Sequence, residues 1–409
     1  MPNFRYKARN IDGEAVKGVM EALSIENLEQ RLASNNYYLI EAREIKGKGG
    51  EFLSLKVSSP FGKVGTRDVI LFSRQLASML HAGIPITGAL EALKEQTEKP
   101  VFKSIIGNLK DDIERGKSFA DALSKHPQAF STLYIATIRV GEETGNLDAI
   151  LIRLANFLER EADTKAKIRS ALLYPALLIF VAGALITFLV TFVLPRFRIV
   201  FMESGVPLPL PTQMMFNFSE FVRRWWFLGI VLIISIFVGW KLAYRSEEGK
   251  FRLDKFKLKL PIFGILLRKV AISRFSHSLE TLVGSGVDII KSFQIIKETI
   301  GNEVLARVMD TVRENMERGG DVNTPLRKSG EFPPMVVHMI FVGEQTGTLA
   351  DMLKEIADSY EKEVDYAIKN MIAVLEPALL VVMGCIVTFI ALSLYMPLFR
   401  MAQVISASA

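Results

Sequence analysis

Val140-Gly141-Glu142-Glu143-Thr144-Gly145-Asn146-Leu147 returns 202 residues later as Val342-Gly343-Glu344-Gln345-Thr346-Gly347-Thr348-Leu349. The same offset carries Tyr174-Pro175-Ala176-Leu177-Leu178 onto Glu376-Pro377-Ala378-Leu379-Leu380, and Leu194-Pro195-Arg196-Phe197 onto Met396-Pro397-Leu398-Phe399. Upstream the offset is 203: Phe72-Ser73 and Gly83 meet Phe275-Ser276 and Gly286, and Glu114-Arg115-Gly116 meets Glu317-Arg318-Gly319. Self-similarity at a fixed offset means one unit built twice. Each copy passes from a polar stretch into an apolar one, so each joins a soluble part to a membrane segment.

Composition agrees. The 409 residues are 50% hydrophobic, with mean hydropathy +0.26, too apolar for an ordinary soluble enzyme of this length. They are also 23% charged, too polar for a channel made mostly of spans. The net charge of +6 does not point to nucleic acid, because Lys and Arg gather beside the apolar runs, where anionic headgroups attract them. Met1-Pro2-Asn3-Phe4-Arg5-Tyr6 alternates like a strand, so no cleavable signal peptide is expected. The single cysteine, Cys385, lies in an apolar run and suits a reducing compartment.

Ala171–Leu194 is free of charge and, at about 1.5 Å per residue, exceeds the roughly 30 Å hydrocarbon core. Pro377–Phe399 is likewise uncharged. Trp225–Trp240 is shorter, but snorkelling Lys241 and Arg245 extend it to Tyr244, with Trp225-Trp226 and Trp240 as interfacial anchors. Two copies in one orientation, each ending in a span, need a third crossing to bring both soluble parts to the same face. The middle run supplies it. Lys and Arg favour that face: four in Ala155–Ser170 and seven in Lys241–Lys259, against four in Arg196–Arg224. Both soluble parts are therefore expected in the cytoplasm, with the Pro207-Leu208-Pro209-Leu210-Pro211 loop and the C-terminus outside.

The expected order is a small α+β domain at 1–46, a linker at 47–65, a first helical bundle at 66–170 and a first span at 171–194. A periplasmic loop follows at 195–224, a second span at 225–244 and a basic membrane-surface linker at 245–269. The second bundle takes 270–373, the third span 374–399 and a periplasmic tail 400–409. The fold class is mainly α, with about six helices per bundle. In the first domain Asp12-Gly13 is a hairpin signal between strands, and Ser24 caps a helix. Thr66 is expected to cap the first bundle helix, Gly83 to end it, and Pro85 to open the next.

A catalytic or cofactor site finds little support. Gly116-Lys117-Ser118 resembles the end of a phosphate loop, but Asp111 stands where its first glycine belongs, and the second copy reads Gly319-Gly320-Asp321. His81, His126, His277 and His338 lack metal-ligand spacing. Glu142 and Glu344 are the strongest polar candidates. One reading makes each part of a helix-helix corner, with Gly145 and Gly347 ending a helix; a second makes it a subunit or partner contact; a third, oxygen-ligated calcium, is poorly served by one carboxylate per copy. Pro175 and Pro377 stand where a long helix meets its span and either start or bend it, with Glu376 beside Pro377 at the membrane edge. Gly183 with Thr187 and Gly384 with Thr388 permit close helix approach.

Phe72-Ser73-Arg74-Gln75-Leu76, Ala82-Gly83-Ile84-Pro85, the Gly141-to-Leu147 motif and Tyr174-Pro175 together resemble the type II secretion F family. Phe4, Tyr6, Ala8, Gly13 and Gly18 resemble that family's N-terminal region. The second copy departs at Arg74-Gln75, where it has His277-Ser278, and at Pro85, where it has Asp288. The resemblance implies a non-enzymatic, homo-oligomeric inner-membrane platform without cofactors. It implies as partners a hexameric cytoplasmic assembly ATPase, pilin or pseudopilin transmembrane helices, and other inner-membrane assembly proteins. Arg74, Gln75, Gly83, Glu142, Gly145, Glu344 and Gly347 are the candidate contact positions. A small transporter, or a receptor or adaptor unrelated to pili, is the alternative.

Overall fold

The computed structural model describes residues 3–10, 15–22, 24–33, 37–44, 64–193, 195–196 and 209–408. Most of them are helical, and they fall into two units, Met1–Phe61 and Gly62–Ala409. The expected turn at Asp12-Gly13 and most of the expected linker lie outside the described residues.

In the first unit β1 (Asn3–Asn10) pairs antiparallel with both β2 (Ala15–Glu21) and β3 (Tyr37–Glu44), giving the sheet order β2-β1-β3. Tyr6 lies opposite Gly18, and a register shift against β3 falls between Lys7 and Ala8. Helix α1 (Ile25–Ala33) covers the sheet by burying Leu28 against Ala8 and Ala22. Ser24 Oγ accepts from the Asn27 N–H at 3.3 Å at its start.

In the second unit the duplication is visible helix by helix. The first repeat has α2 (Thr66–His81), α3 (Ile86–Gln96), α4 (Pro100–Glu114), α5 (Phe119–Ser124), α6 (Thr132–Thr144) and α7 (Leu147–Phe188), which runs into a π-helical turn at Leu189–Val193. Helices α8 (Leu210–Ala243) and α9 (Glu247–Lys259) follow. The second repeat has α10 (Phe263–Gly284), α11 (Ile289–Thr299), α12 (Glu303–Glu317), α13 (Asn323–Ser329), α14 (Pro334–Thr346) and α15 (Leu349–Ser408). The offset changes because the turn Lys125-His126-Pro127-Gln128-Ala129-Phe130 loses one residue to become Lys328-Ser329-Gly330-Glu331-Phe332.

One hydrophobic cluster runs through both repeats. Its anchors are equivalent rings: Phe72 meets Phe130 at 5.9 Å, and Phe275 meets Phe332 at 5.1 Å. The polar detail differs. Ser73 Oγ lies 2.8 Å from the Tyr134 hydroxyl, while its equivalent Ser276 faces a repeat in which Tyr134 has become Val336. Ser276 Oγ is buried without a partner among the described residues.

Several expectations are corrected. Thr66 is the first helical residue rather than the cap; Asp68 reaches back to the Gly65 N–H at 2.7 Å and serves that end of α2. The segment expected as a loop to Arg224 is helical from Leu210, with Pro211 in the first turn and Met214, Phe218 and Phe221 at helical spacing. Its backbone leaves helical geometry at Trp225 (φ −117°, ψ 17°), where the middle span was expected to begin. The basic linker is helical through α9, with Asp254 and Leu258 buried one turn apart and Phe256 exposed. Helix α10 starts at Phe263, ahead of the expected 270, because Leu266 is already buried against Val364, Ala367 and Ile368. Residues expected as a tail continue α15 to Ser408.

By length and composition two helical runs can cross a membrane, Leu147–Val193 and Leu349–Met396. Phe227–Ala243 is the apolar part of α8, and α9 turns from it by 115°.

Candidate functional site

The two repeated corners have the same construction. Glu142 Oε1 accepts from the Phe119 N–H at 2.7 Å and Oε2 from the Ala120 N–H at 3.1 Å, while Ser118 Oγ accepts from Asp121. Three donors at the start of the short helix α5 are thereby satisfied, two of them by a residue on α6. In the second repeat both Glu344 oxygens face the Val322 N–H, at 3.2 and 3.4 Å. Burial raises the Glu344 pKa and nearby Asp321 adds to this, against the Val322 N–H, which lowers it. Gly145 and Gly347 stand at φ 75° and 71°, in the left-handed region that ends α6 and α14. The first glycine of the motif has a different role. A Cβ on Gly141 would come within 2.9 Å of Ile150, and one on Gly343 within 2.9 Å of the Leu349 backbone. Thr144 and Thr346 bond back to the carbonyls of Val140 and Val342.

The remaining candidates separate. Arg74 is exposed on α2 and bonds Asn156 at 3.1 Å and Glu159 of α7. Gln75 is half-buried beside it, and Gly83 ends α2 at φ 81°. Pro175 is buried within α7; Pro377 and Glu376 are exposed on α15, far along the chain from the corners. Both helices run without interruption across their prolines. Lys117 of the phosphate-loop-like stretch is engaged by Asp112 at 2.8 Å. Hydrogen bonds from Lys117 and Lys125 hold the Asp112 pKa at about 2. Among the described residues no three His, Cys, Asp or Glu side chains gather as a metal site.

A polar seam between the repeats was not foreseen. Arg160 Nη1 on α7 donates to Asp358 at 2.7 Å and Glu361 at 3.2 Å on α15. Lys167 bonds both oxygens of Asp365, and Arg274 on α10 lies 2.5 Å from Glu161 on α7. Arg153 approaches Glu280 at 3.7 Å and fills the space a side chain at Gly284 would need. His277 sits beneath this ladder; burial first, and Arg160 second, lower its pKa to about 4. His277 holds the place of Arg74, and Asp358 and Glu361 hold those of Asn156 and Glu159. The departures between copies thus mark where one repeat docks on the other. Only a comparison of charges across both repeats would have found it in the sequence.

A second tie joins α8 to the second repeat. Asp254 accepts from the Tyr244 hydroxyl at 2.7 Å and from the Glu303 N–H, at the start of α12, at 3.0 Å. Lys257 bonds both Asp254 and Tyr244 and lies over the Tyr244 and Trp240 rings.

The duplicated sequence behind these two corners matches known proteins. The model described as type II secretion system protein F matches residues 72–195 and again 275–397, and that of its N-terminal domain matches 1–43. The chain is 37% identical to the type IV pilus assembly protein PilC of Thermus thermophilus over 99% of its own length and all of the relative. It is 37% identical to the protein of the same name from Myxococcus xanthus, over 98% of this chain and 95% of the relative. It is 32% identical to the type II secretion system protein F of Pseudomonas aeruginosa over 99% of this chain and all of that one. Two matched copies and a matched N-terminal domain cover most of the chain: it belongs to the type II secretion system protein F family.

Proposed function

We propose that the chain is the non-enzymatic inner-membrane platform of a type IV pilus or type II secretion machine. In this reading three spans, at 171–194, 225–244 and 374–399, hold both bundles in the cytoplasm. The bundles receive an assembly ATPase, and the spans meet pilin or pseudopilin helices while copies of the chain associate with one another. The carrying observation is the unbroken connection from each polar corner into a membrane-length helix, Leu147–Val193 and Leu349–Met396. A force applied at either bundle has a rigid path to the bilayer. The Asp254–Tyr244 tie gives the middle segment a link to α12 as well.

Purifying the full chain from native membranes in mild detergent, after brief cross-linking in cells, tests the coupling. Recovery of an assembly ATPase subunit together with a pilin-like subunit is expected. Recovery of the intact chain with neither would contradict it.

A further inference from the structure

The seam between the repeats is one-sided. The first repeat presents α6 and α7, and the second receives them on α10, α11 and α15. In a twofold arrangement α11 against α6 would be matched by α3 against α14, and α10 against α7 by α2 against α15. Neither is a packed pair among the described residues. A heterologous contact of this kind leaves each of its two faces unused once. Among the described residues the receiving face of the first repeat, along α2, the start of α3 and the outer side of α7, takes no second-repeat helix in this way. Among the described residues the presenting face of the second repeat, along α14 and α15, packs on no first-repeat helix in this way.

We propose that these two faces bind each other between neighbouring copies of the chain, in the geometry of the internal seam, so that copies join head to tail. This rests on the platform reading only in taking the chain to self-associate in its membrane.

Transposing the seam by the repeat offset sets opposite charges against each other at two of its four contacts. Arg160 against Asp358 and Glu361 becomes Lys362 against Asn156 and Glu159. Lys167 against Asp365 becomes Lys369 against Asp163. Where Arg153 fills the space beside Gly284 and approaches Glu280, Glu355 would lie beside His81, and Ala77 stands in the place of Glu280, so this pair does not recur. Glu363, in the place of Glu161, already bonds Lys269, and Leu71 stands where the seam has Arg274, so this pair does not recur either. Lys362, Lys369 and Glu355 are exposed, as are Glu159, Asp163, His81 and Arg74. The apolar positions agree: Val287 is 5% exposed at the seam, while its equivalent Ile84 is 42% exposed.

Membrane geometry also permits repetition. Arg160 meets Asp358, and Lys167 meets Asp365, at sequence separations of 198. The repeat offset there is 202, so α7 and α15 run parallel with equivalent residues within about one helical turn of the same height. Repeating the step keeps every span parallel to the first, as a bilayer demands.

The test uses full-length chain in native membranes with Cys385, the exposed free cysteine, changed to Ser. Two differently tagged copies are co-expressed, one with Glu159→Cys and the other with Lys362→Cys, and a short bifunctional thiol reagent is added. A cross-linked product carrying both tags is expected, with little product from either copy alone. With the cysteines moved to Asp163 on one copy and Lys369 on the other, Lys362→Glu should cut the yield about fivefold, and Glu159→Lys on the partner copy should restore it. Dominant 159–159 or 362–362 products would replace head-to-tail joining with a twofold contact and overturn the proposal. Absence of the mixed product would overturn it too, whether those faces are taken by another protein or the chain is monomeric. Either failure leaves the platform reading standing if fibres or secretion still require the gene.

Discussion

Arg160 Nη1 lies 2.7 Å from Asp358 Oδ1, across the boundary between the two repeats. In the first repeat the equivalent of Asp358 is Asn156, and Arg74 of the same repeat bonds it. The second repeat has lost that arginine to His277 and receives Arg160 from its neighbour instead. Arg160→Ala is expected to cost only about 1 kcal/mol, since the pair is partly exposed. It should also raise the His277 pKa, because a nearby positive charge is removed. Imidazole NMR titration checks the second effect; an unmoved His277 would refute the assigned contact.

His277 gives the seam a pH dependence. Its folded pKa is about 4, lowered from 6.5. Between those values the unfolded chain binds a proton that the fold does not, so stability falls as pH falls from about 6.5 to 4. The loss should be on the order of 2–3 kcal/mol. His277→Gln should flatten this part of the curve in thermal unfolding of purified chain, and an identical slope in the variant would rule His277 out as its source.

The two buried serines should respond in opposite directions. Ser276→Ala removes a hydroxyl without a partner and should stabilise by about 0.5–1 kcal/mol. Ser73→Ala strands the Tyr134 hydroxyl and should cost about 1–3 kcal/mol. Thermal unfolding of the two variants side by side decides it; destabilisation of both would show that Ser276 has a partner.

Within each corner the residues separate by mechanism. Gly145→Asn should be nearly neutral, because asparagine tolerates the left-handed region and no atom lies within 4 Å of a Cβ there. Gly141→Ala should cost about 1–3 kcal/mol by pushing α6 from α7 at Ile150. Glu142→Ala should cost about 2–3 kcal/mol and speed hydrogen exchange at Phe119 and Ala120. Unchanged exchange at those amides would show that the carboxylate is not the helix cap.

Much of this plan is legible because its signals are local or repeated. Glycines at helix ends, charge-free runs and the eight-residue motif each depend on a few neighbours. The Gly-Glu-x-Thr-Gly stretch reads as a corner from its glycines alone, but the target of Glu142 does not. Phe119 lies 23 residues upstream, and only the packing of α5 on α6 brings its N–H to the carboxylate. The seam was hidden for a related reason. Arg160 reads as one more charge on a solvated helix until its partners, about 200 residues away, arrive beside it. The start of helix α8 resembles a loop in sequence because prolines and polar residues interrupt its apolar pattern, although Pro211 sits where a helix tolerates it.

Deleting the gene and restoring it on a plasmid measures the central claim most directly. Surface fibres should disappear, or exported proteins remain inside the cell, and the full-length chain should restore them. Cells that keep both normal fibres and normal export without this chain would contradict the account.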